Sequence, residues 1–163
     1  MTEPESSTGH DASDGPDVIT FPPVIFIAFY AIGYITDRAF PAELGMQSVR
    51  YAVGGLFLGA SGALVFWAIA HFVRAKTHVD VRKPATALVT DGPYRLSRNP
   101  MYLAATLLYA GFAIIFSLPI TLAFLAVCLT VLQIGVINRE EVYLDRRFGD
   151  DYRQYRTRVR RWL

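Results

Sequence analysis

The chain has 163 residues, a formal net charge of +2, 53% hydrophobic residues, 18% charged residues and a mean hydropathy of +0.30. That length is one domain, and the composition is too apolar for an ordinary soluble one. The uncharged residues arrive in blocks long enough to cross a ~30 Å hydrocarbon core, so the expected fold class is an all-α integral membrane protein with about four transmembrane helices.

In chain order, residues 1–17 carry Glu3, Glu5, Asp11, Asp14 and Asp17 with no Lys or Arg, and read as a disordered acidic tail. A cleavable signal needs a basic segment before its apolar run, so the first apolar stretch is expected to be a retained helix opening a membrane domain over 18–163. Helices are expected at about 18–36, 50–73, 101–117 and 119–138. The last two come from Met101 to Ile137, which holds 37 residues without a charge. "SLP" (Ser117 to Pro119) divides that run as the tight turn of a C-terminal helical hairpin. In the second helix, Gly55 and Gly59 stand at GxxxG spacing with Gly62 nearby, a pattern that lets helices approach closely within the fold or across a homodimer.

Cys128 is the single cysteine, which excludes an internal disulfide, and inside an apolar run its default use is packing. His10, His71 and His78 share no ligand spacing, so no metal site is expected. Four crossings would put the tail, the loop before Met101 and the C-terminal segment on one side. That side carries 14 of the 16 basic residues and is cytoplasmic by the positive-inside rule, in the cytoplasmic membrane. The arginines border membrane segments, so their simplest partner is the lipid bilayer, and nothing points to nucleic acid.

Two polar stretches share that side. In "GPYRLSRNP" (Gly92 to Pro100), Pro100 suits a first helical turn, Asn99 suits an N-cap, and Tyr94 and Tyr102 suit the aromatic belt. Arg98 does not fit that plain reading, because a helix N-terminus disfavours a cation. An arginine beside free helix amides makes a receptor for an anionic or polar ligand.

In "INREEVYLDRRFGDDYRQYRTRVRRWL" (Ile137 to Leu163), a helical wheel places Ile137, Leu144 and Phe148 on one face together with Glu140 and Glu141. Arg139, Tyr143, Arg146 and Asp150 take the solvated side. Glu141 falls near the middle of the buried stripe and needs a partner, either an arginine of the first stretch or a cationic ligand. After "FGDD" a final amphipathic helix is expected, with Tyr152, Tyr155, Val159 and Trp162 inward and Arg153, Arg158, Arg160 and Arg161 outward. It would anchor to anionic lipid or cover a pocket between the two stretches.

The pair "GPYRLSRNPMYL" and "REEVYLDRRFGDDYRQYRTRVRRWL" resembles the isoprenylcysteine carboxyl methyltransferase family and its relatives, the phospholipid N-methyltransferases. The resemblance covers about Leu88 to the C-terminus. It implies a small helical membrane enzyme that encloses S-adenosylmethionine between its last hairpin and its C-terminal segment, with a lipidic or small hydrophobic acceptor entering from the bilayer. The carboxylate or thiol of an isoprenylcysteine-like substrate is the acceptor expected first. Carried over by position, the cofactor-binding set is Gly92, Tyr94, Arg98, Asn99, Pro100, Tyr102, Leu103, Glu140 and Glu141, and the catalytic set is Arg139, Glu140 and Glu141. Asn99 stands where the family most often has histidine, and an amide cannot titrate near neutral pH. Two other readings compete: an NADPH-dependent membrane reductase of the sterol or enone type, which shares the "RxPxY" hairpin, and a non-catalytic membrane scaffold.

Overall fold

The computed structural model describes residues 18–74 and 85–163. The acidic tail, His10, His78 and the basic residues at 76, 82 and 83 lie outside the described residues. Every regular element among the described residues is helical. Helix α1 (Pro22–Ala39) starts later than expected because Pro22 and Pro23 lack amides and fit only a first turn. It also runs further, through Asp37, whose carboxylate is fully engaged by another helix. Helix α2 spans Gln47–Arg74 and follows Gly45, whose φ is +51°.

A short 3-10 turn, Gly92–Arg95, precedes α3 (Pro100–Ile115). Ser117, in the left-handed region at φ +56°, closes α3, and Leu118 N–H donates to Ala113 O at 2.8 Å. Pro119 then opens α4 (Pro119–Leu132), so the hairpin turn stands where it was expected. Helix α4 does not stop near residue 138. A π turn, Gln133–Ile137, joins it to α5 (Asn138–Arg158), which makes one continuous helix of 40 residues. Gly149 kinks α5 with φ +51° and ψ −122°, which sets off the last amphipathic turns as expected after "FGDD".

Helix α1 lies along α4 and α2 along α3, while α1 and α2 diverge over the α3 surface. The small residues of α2 that face α3 are Gly54, Ser61 and Ala68, two turns apart. Added carbon at Gly54 would meet Gly111 O at 2.9 Å, and Ser61 Oγ donates to Ala104 O at 2.7 Å. Internal packing therefore uses the face next to the GxxxG pair. Gly55, Gly59 and Gly62 point outward with open space around them. Cys128 is fully buried and packs, as expected.

At the hairpin end of the bundle, the Asp37 carboxylate accepts from Ile120 N–H (3.0 Å), Thr121 N–H (2.7 Å) and Thr121 Oγ (2.6 Å). It satisfies the first amides of α4 across 84 residues of sequence, a job the local sequence at Leu118 does not do. Among the described residues, two helices are long and apolar enough to cross a membrane: Gln47–Arg74, and the apolar part of the helix that starts at Pro119. Helix α3 has 16 residues, roughly 24 Å at 1.5 Å per residue, and is shorter than the bilayer core.

Candidate functional site at the polar end of the bundle

The end opposite Asp37 gathers both polar stretches. Gly92, at φ +60°, turns the chain into the 3-10 turn, and the His71 ring lies directly against it, so a Cβ there would strike the ring. That turn buries Tyr94 edge-on against Phe72, with ring centroids 5.3 Å apart, and Tyr155 Oη donates to Tyr94 O at 2.7 Å. Ala68, Tyr94, Tyr152 and Tyr155 form the small core beneath this end.

The residues after α5 cross the mouth of α3. Arg98 N–H donates to Arg160 O (2.9 Å), while Ser97 Oγ (3.2 Å) and Asn99 Nδ2 (3.0 Å) donate to Arg161 O. Trp162 Nε1 donates to Gln133 Oε1 at 3.1 Å. Asn99 thus occupies the N-cap position of α3 as expected, but its side chain ties down the terminal segment rather than capping the helix. The wheel that set Arg161 outward does not apply to it. Helix α5 ends at Arg158, and Val159 is extended at φ −121° and ψ 130°.

Glu141 has the arginine partner its buried position demanded. Arg98 Nη1 lies 3.0 Å from its Oε1, and the Glu141 side chain is only 11% exposed. Arg161 adds a second, forked contact, Nε to Oε1 at 2.9 Å and Nη2 to Oε2 at 2.6 Å. The Arg98 side chain also donates to Tyr152 Oη at 3.3 Å, whereas its buried Nε has no hydrogen-bond partner.

Glu140 is placed differently. Tyr102 Oη donates to its Oε2 at 2.9 Å, and its carboxylate faces a cavity of about 730 Å³. That volume lies in the range of small-molecule and cofactor sites. Of the residues singled out from sequence, Tyr94, Arg98, Asn99, Pro100, Tyr102 and Glu140 line this cavity. Gly92 and Glu141 stand behind the wall, Leu103 is on the α3 turn beside it, and Arg139 is on the exposed side of α5. From Glu140 the cavity continues as a trough between α1 and α2, floored by Ala105, Leu108, Tyr109, Phe112 and Phe116 of α3. Phe26, Ile27 and Tyr30 of α1 and Val65 of α2 make its sides. A polar head thus opens onto a long apolar slot.

The electrostatics separate the two acids. Glu140 lies beyond the apolar stretch that ends at Ile137. Burial pushes its carboxyl up to about 7; the Tyr102 hydrogen bond opposes the rise and the neighbouring Glu141 charge adds to it. Burial likewise raises the Tyr94, Tyr152 and Tyr155 phenols, which stay neutral. Hydrogen bonding to Glu141 holds the Arg161 guanidinium charged. An acid poised near neutral pH beside a forked, fully paired one is the kind of asymmetry that lets one group move a proton while the other holds structure.

The Arg161 contact and the α1 contribution to the trough were not read from sequence, whereas the terminal segment was read as a lipid anchor or a cover over a pocket between the two stretches. The inward pattern Tyr152, Tyr155, Val159 and Trp162 was the available signal, and all four do pack into the two cores.

Comparison with known proteins follows the same residues. The phospholipid methyltransferase family model matches residues 49–151, which takes in most of α2, both walls of the site and the Gly149 kink. An uncharacterised protein of Haemophilus influenzae is 51% identical over 45 residues, which cover 26% of this chain and 71% of that one. No solved structure matches. With a matched segment that takes in Glu140, Glu141, Arg98 and Tyr102, and with apolar helices long enough to cross a bilayer, the chain belongs to the phospholipid methyltransferase family and is a membrane methyltransferase.

Proposed function

We propose that this protein transfers a methyl group from S-adenosylmethionine to the amine of a lipid headgroup. The observation that carries this reading is the position of Glu140, a carboxylate at the junction of a polar pocket and an apolar trough, aimed by the Tyr102 hydroxyl.

The residues present suit the cofactor. Its sulfonium and ammonium match the Glu140 carboxylate. Its carboxylate matches the buried Arg98 Nε, which lacks a protein partner, and the first amides of α3, which no side chain caps. When bound, S-adenosylmethionine supplies an electrophilic methyl group.

The chain's own residues supply the rest. An ammonium headgroup must lose a proton before its nitrogen lone pair can attack, and Glu140 accepts that proton at Oε1 or Oε2. Tyr102 holds the carboxylate in place, and the trough fixes the lipid so that the nitrogen stays near the reacting carbon, which is where proximity gives its rate advantage. Burial of Tyr94, Pro100 and Tyr102 keeps water from the same position.

A carboxylate acceptor of the isoprenylcysteine kind would approach Glu140 as a like charge, and a thiolate would do the same. Glu140 therefore favours the amine over the acceptor first expected from sequence. The family match leaves the reductase and scaffold readings without support. The polar end is assigned to the cytoplasmic side, on the strength of the 14 basic residues that four crossings would collect there, with α1 and α3 as the two shorter crossings.

The test uses the full chain in lipid nanodiscs with methyl-labelled S-adenosylmethionine. Label in phosphatidylethanolamine and not in a prenylcysteine is expected. Label in the prenylcysteine alone would overturn the amine assignment. Label in neither, with no calorimetric heat of S-adenosylmethionine binding, would overturn the cofactor as well.

A further inference from the structure

The trough ends at an aromatic pair. Phe112 and Phe116 sit one helical turn apart at the hairpin end of α3, with rings stacked at 6.2 Å between centroids and 9° between planes. Both line the slot that begins at Glu140. Ser61 and Val65 line it from α2, but nearer the hairpin end α2 closes onto α3, where Gly54 meets Gly111 O and Ile115. On the other side, Tyr30 stacks edge-on against Tyr109 at 4.9 Å and is the last α1 residue to line the slot. The slot therefore runs along α3 between α1 and α2, and the two rings are the last of its lining toward the hairpin end. From Tyr102 to Phe116 along α3 is about 21 Å at 1.5 Å per residue, longer than one leaflet of a ~30 Å hydrocarbon core. A lipid whose amine is held at Glu140 would have to lay one aliphatic chain along that length.

We propose that the stacked Phe112–Phe116 pair is the chain-length gauge of the acceptor site, the stop against which the aliphatic tail of the amine lipid ends. This rests on the lipid-amine reading given above. Every methylene seated before the stop adds about 0.8 kcal/mol, or about fourfold in affinity, and methylenes beyond it add nothing because they leave the slot. The pair is a specificity determinant and takes no part in proton or methyl transfer.

The experiment measures KM and kcat for a homologous series of primary alkylamines, with chains shorter and longer than the slot, in one fixed detergent. KM is expected to fall by about fourfold per added methylene at most and then to level off. In Phe116→Ala and Phe112→Ala the levelling point is expected to move to longer chains. Phe66 is 79% exposed on α2 and does not line the slot, so Phe66→Ala is expected to leave the levelling point in place. A second readout does not depend on turnover. An alkylamine of the levelling length, carrying a photoreactive group on its last carbon, is expected to label the peptide that contains Phe112 and Phe116.

Turnover with a levelling point that neither variant moves would overturn the gauge while leaving the function intact. Photolabel on other helices in the folded protein would also overturn it. No turnover with any amine, in protein that binds S-adenosylmethionine, would overturn the acceptor reading on which the gauge rests.

Discussion

Arg161 reaches back over 20 residues to grip Glu141 through two guanidinium nitrogens, Nε and Nη2, at 2.9 and 2.6 Å, while its own carbonyl receives Ser97 and Asn99. One residue thus joins α5, the entrance of α3 and the segment beyond Arg158. Arg161→Ala should remove the forked pair and leave Glu141 with Arg98 alone. The Arg161 side chain is 40% exposed, so a moderate cost of about 1–2 kcal/mol is expected. Thermal unfolding would read that loss, and limited trypsin digestion should cut sooner at Arg158 and Arg160. Arg161→Lys should recover only part of it, because an ammonium cannot form the fork.

Glu140→Gln removes the proposed proton acceptor while keeping the shape of the site. The isosteric amide keeps a partner for the Tyr102 hydroxyl but cannot accept a proton from an ammonium. Turnover of a protonated amine should fall by about 10²–10⁴-fold, the usual worth of a positioned base. In the unaltered protein the rate should rise with pH through about 7, because Glu140 works only when ionised. A flat profile between pH 5.5 and 8.5 would remove Glu140 from that role.

The same carboxyl sets a pH dependence of stability. Its folded pKa is raised above the ordinary value, so the folded state favours the protonated form. The stability this contributes is present below about 4.5 and is lost as pH rises toward about 7. Glu140→Gln should therefore stabilise the protein at pH 8 by roughly 1–3 kcal/mol and change little at pH 4. Paired melting curves at the two pH values would show the difference.

Gly92→Ala meets two obstacles, a φ of +60° and the His71 ring against its Cα. A loss of about 1–3 kcal/mol is expected, together with weaker S-adenosylmethionine binding, because the turn that presents Tyr94 must shift. Adding His71→Ala should relieve the contact but not the backbone strain, so the double variant should recover part of the stability. Full recovery would mean that the backbone conformation costs little.

Asp37 offers the contrasting case. Asp37→Ala leaves the first amides of α4 and the Thr121 hydroxyl without their acceptor and should cost about 2–4 kcal/mol. It lies at the far end of the bundle from Glu140, so calorimetric S-adenosylmethionine affinity of the folded fraction should not change. A large loss of affinity with normal melting would contradict the division of the bundle into a structural end and a chemical end.

Much of this was legible in the sequence, for reasons that can be located. An acid on an apolar stripe needs a cation, and the arginines of the first stretch, Arg98 among them, were candidates alongside a cationic ligand. "SLP" and "FGDD" carry their own turn chemistry and break the helices where they stand. The Arg161 contact was hidden because helical periodicity says nothing about residues past the last turn, and Val159 ends it. Asn99 looked like a cap, since the residue type fits; its amide instead goes to a carbonyl 62 positions away. The trough was invisible because it exists only where α1 and α2 diverge over α3, a relation between helices that no local pattern encodes. The α2 glycines show the same limit: small residues announce a close contact but not which of two adjacent faces makes it.

The π turn between α4 and α5 buries Gly135, Val136 and Ile137 in succession, which a regular α-helical face would not do. Each residue of an α-helix advances its azimuth by about 100°, so the wide turn acts as a dial setting for everything downstream. Removing one residue from 133–137 would turn the dial back one notch. Glu141 would then take the bearing of Glu140 toward the pocket, and Val142 would be presented to Arg98 and Arg161. Two adjacent glutamates mean that the pocket would still hold an acid after such a slip, and the arginines would not. The aim of the acid is thus set by residue count along one helix, with its clasp the first thing lost when the count changes.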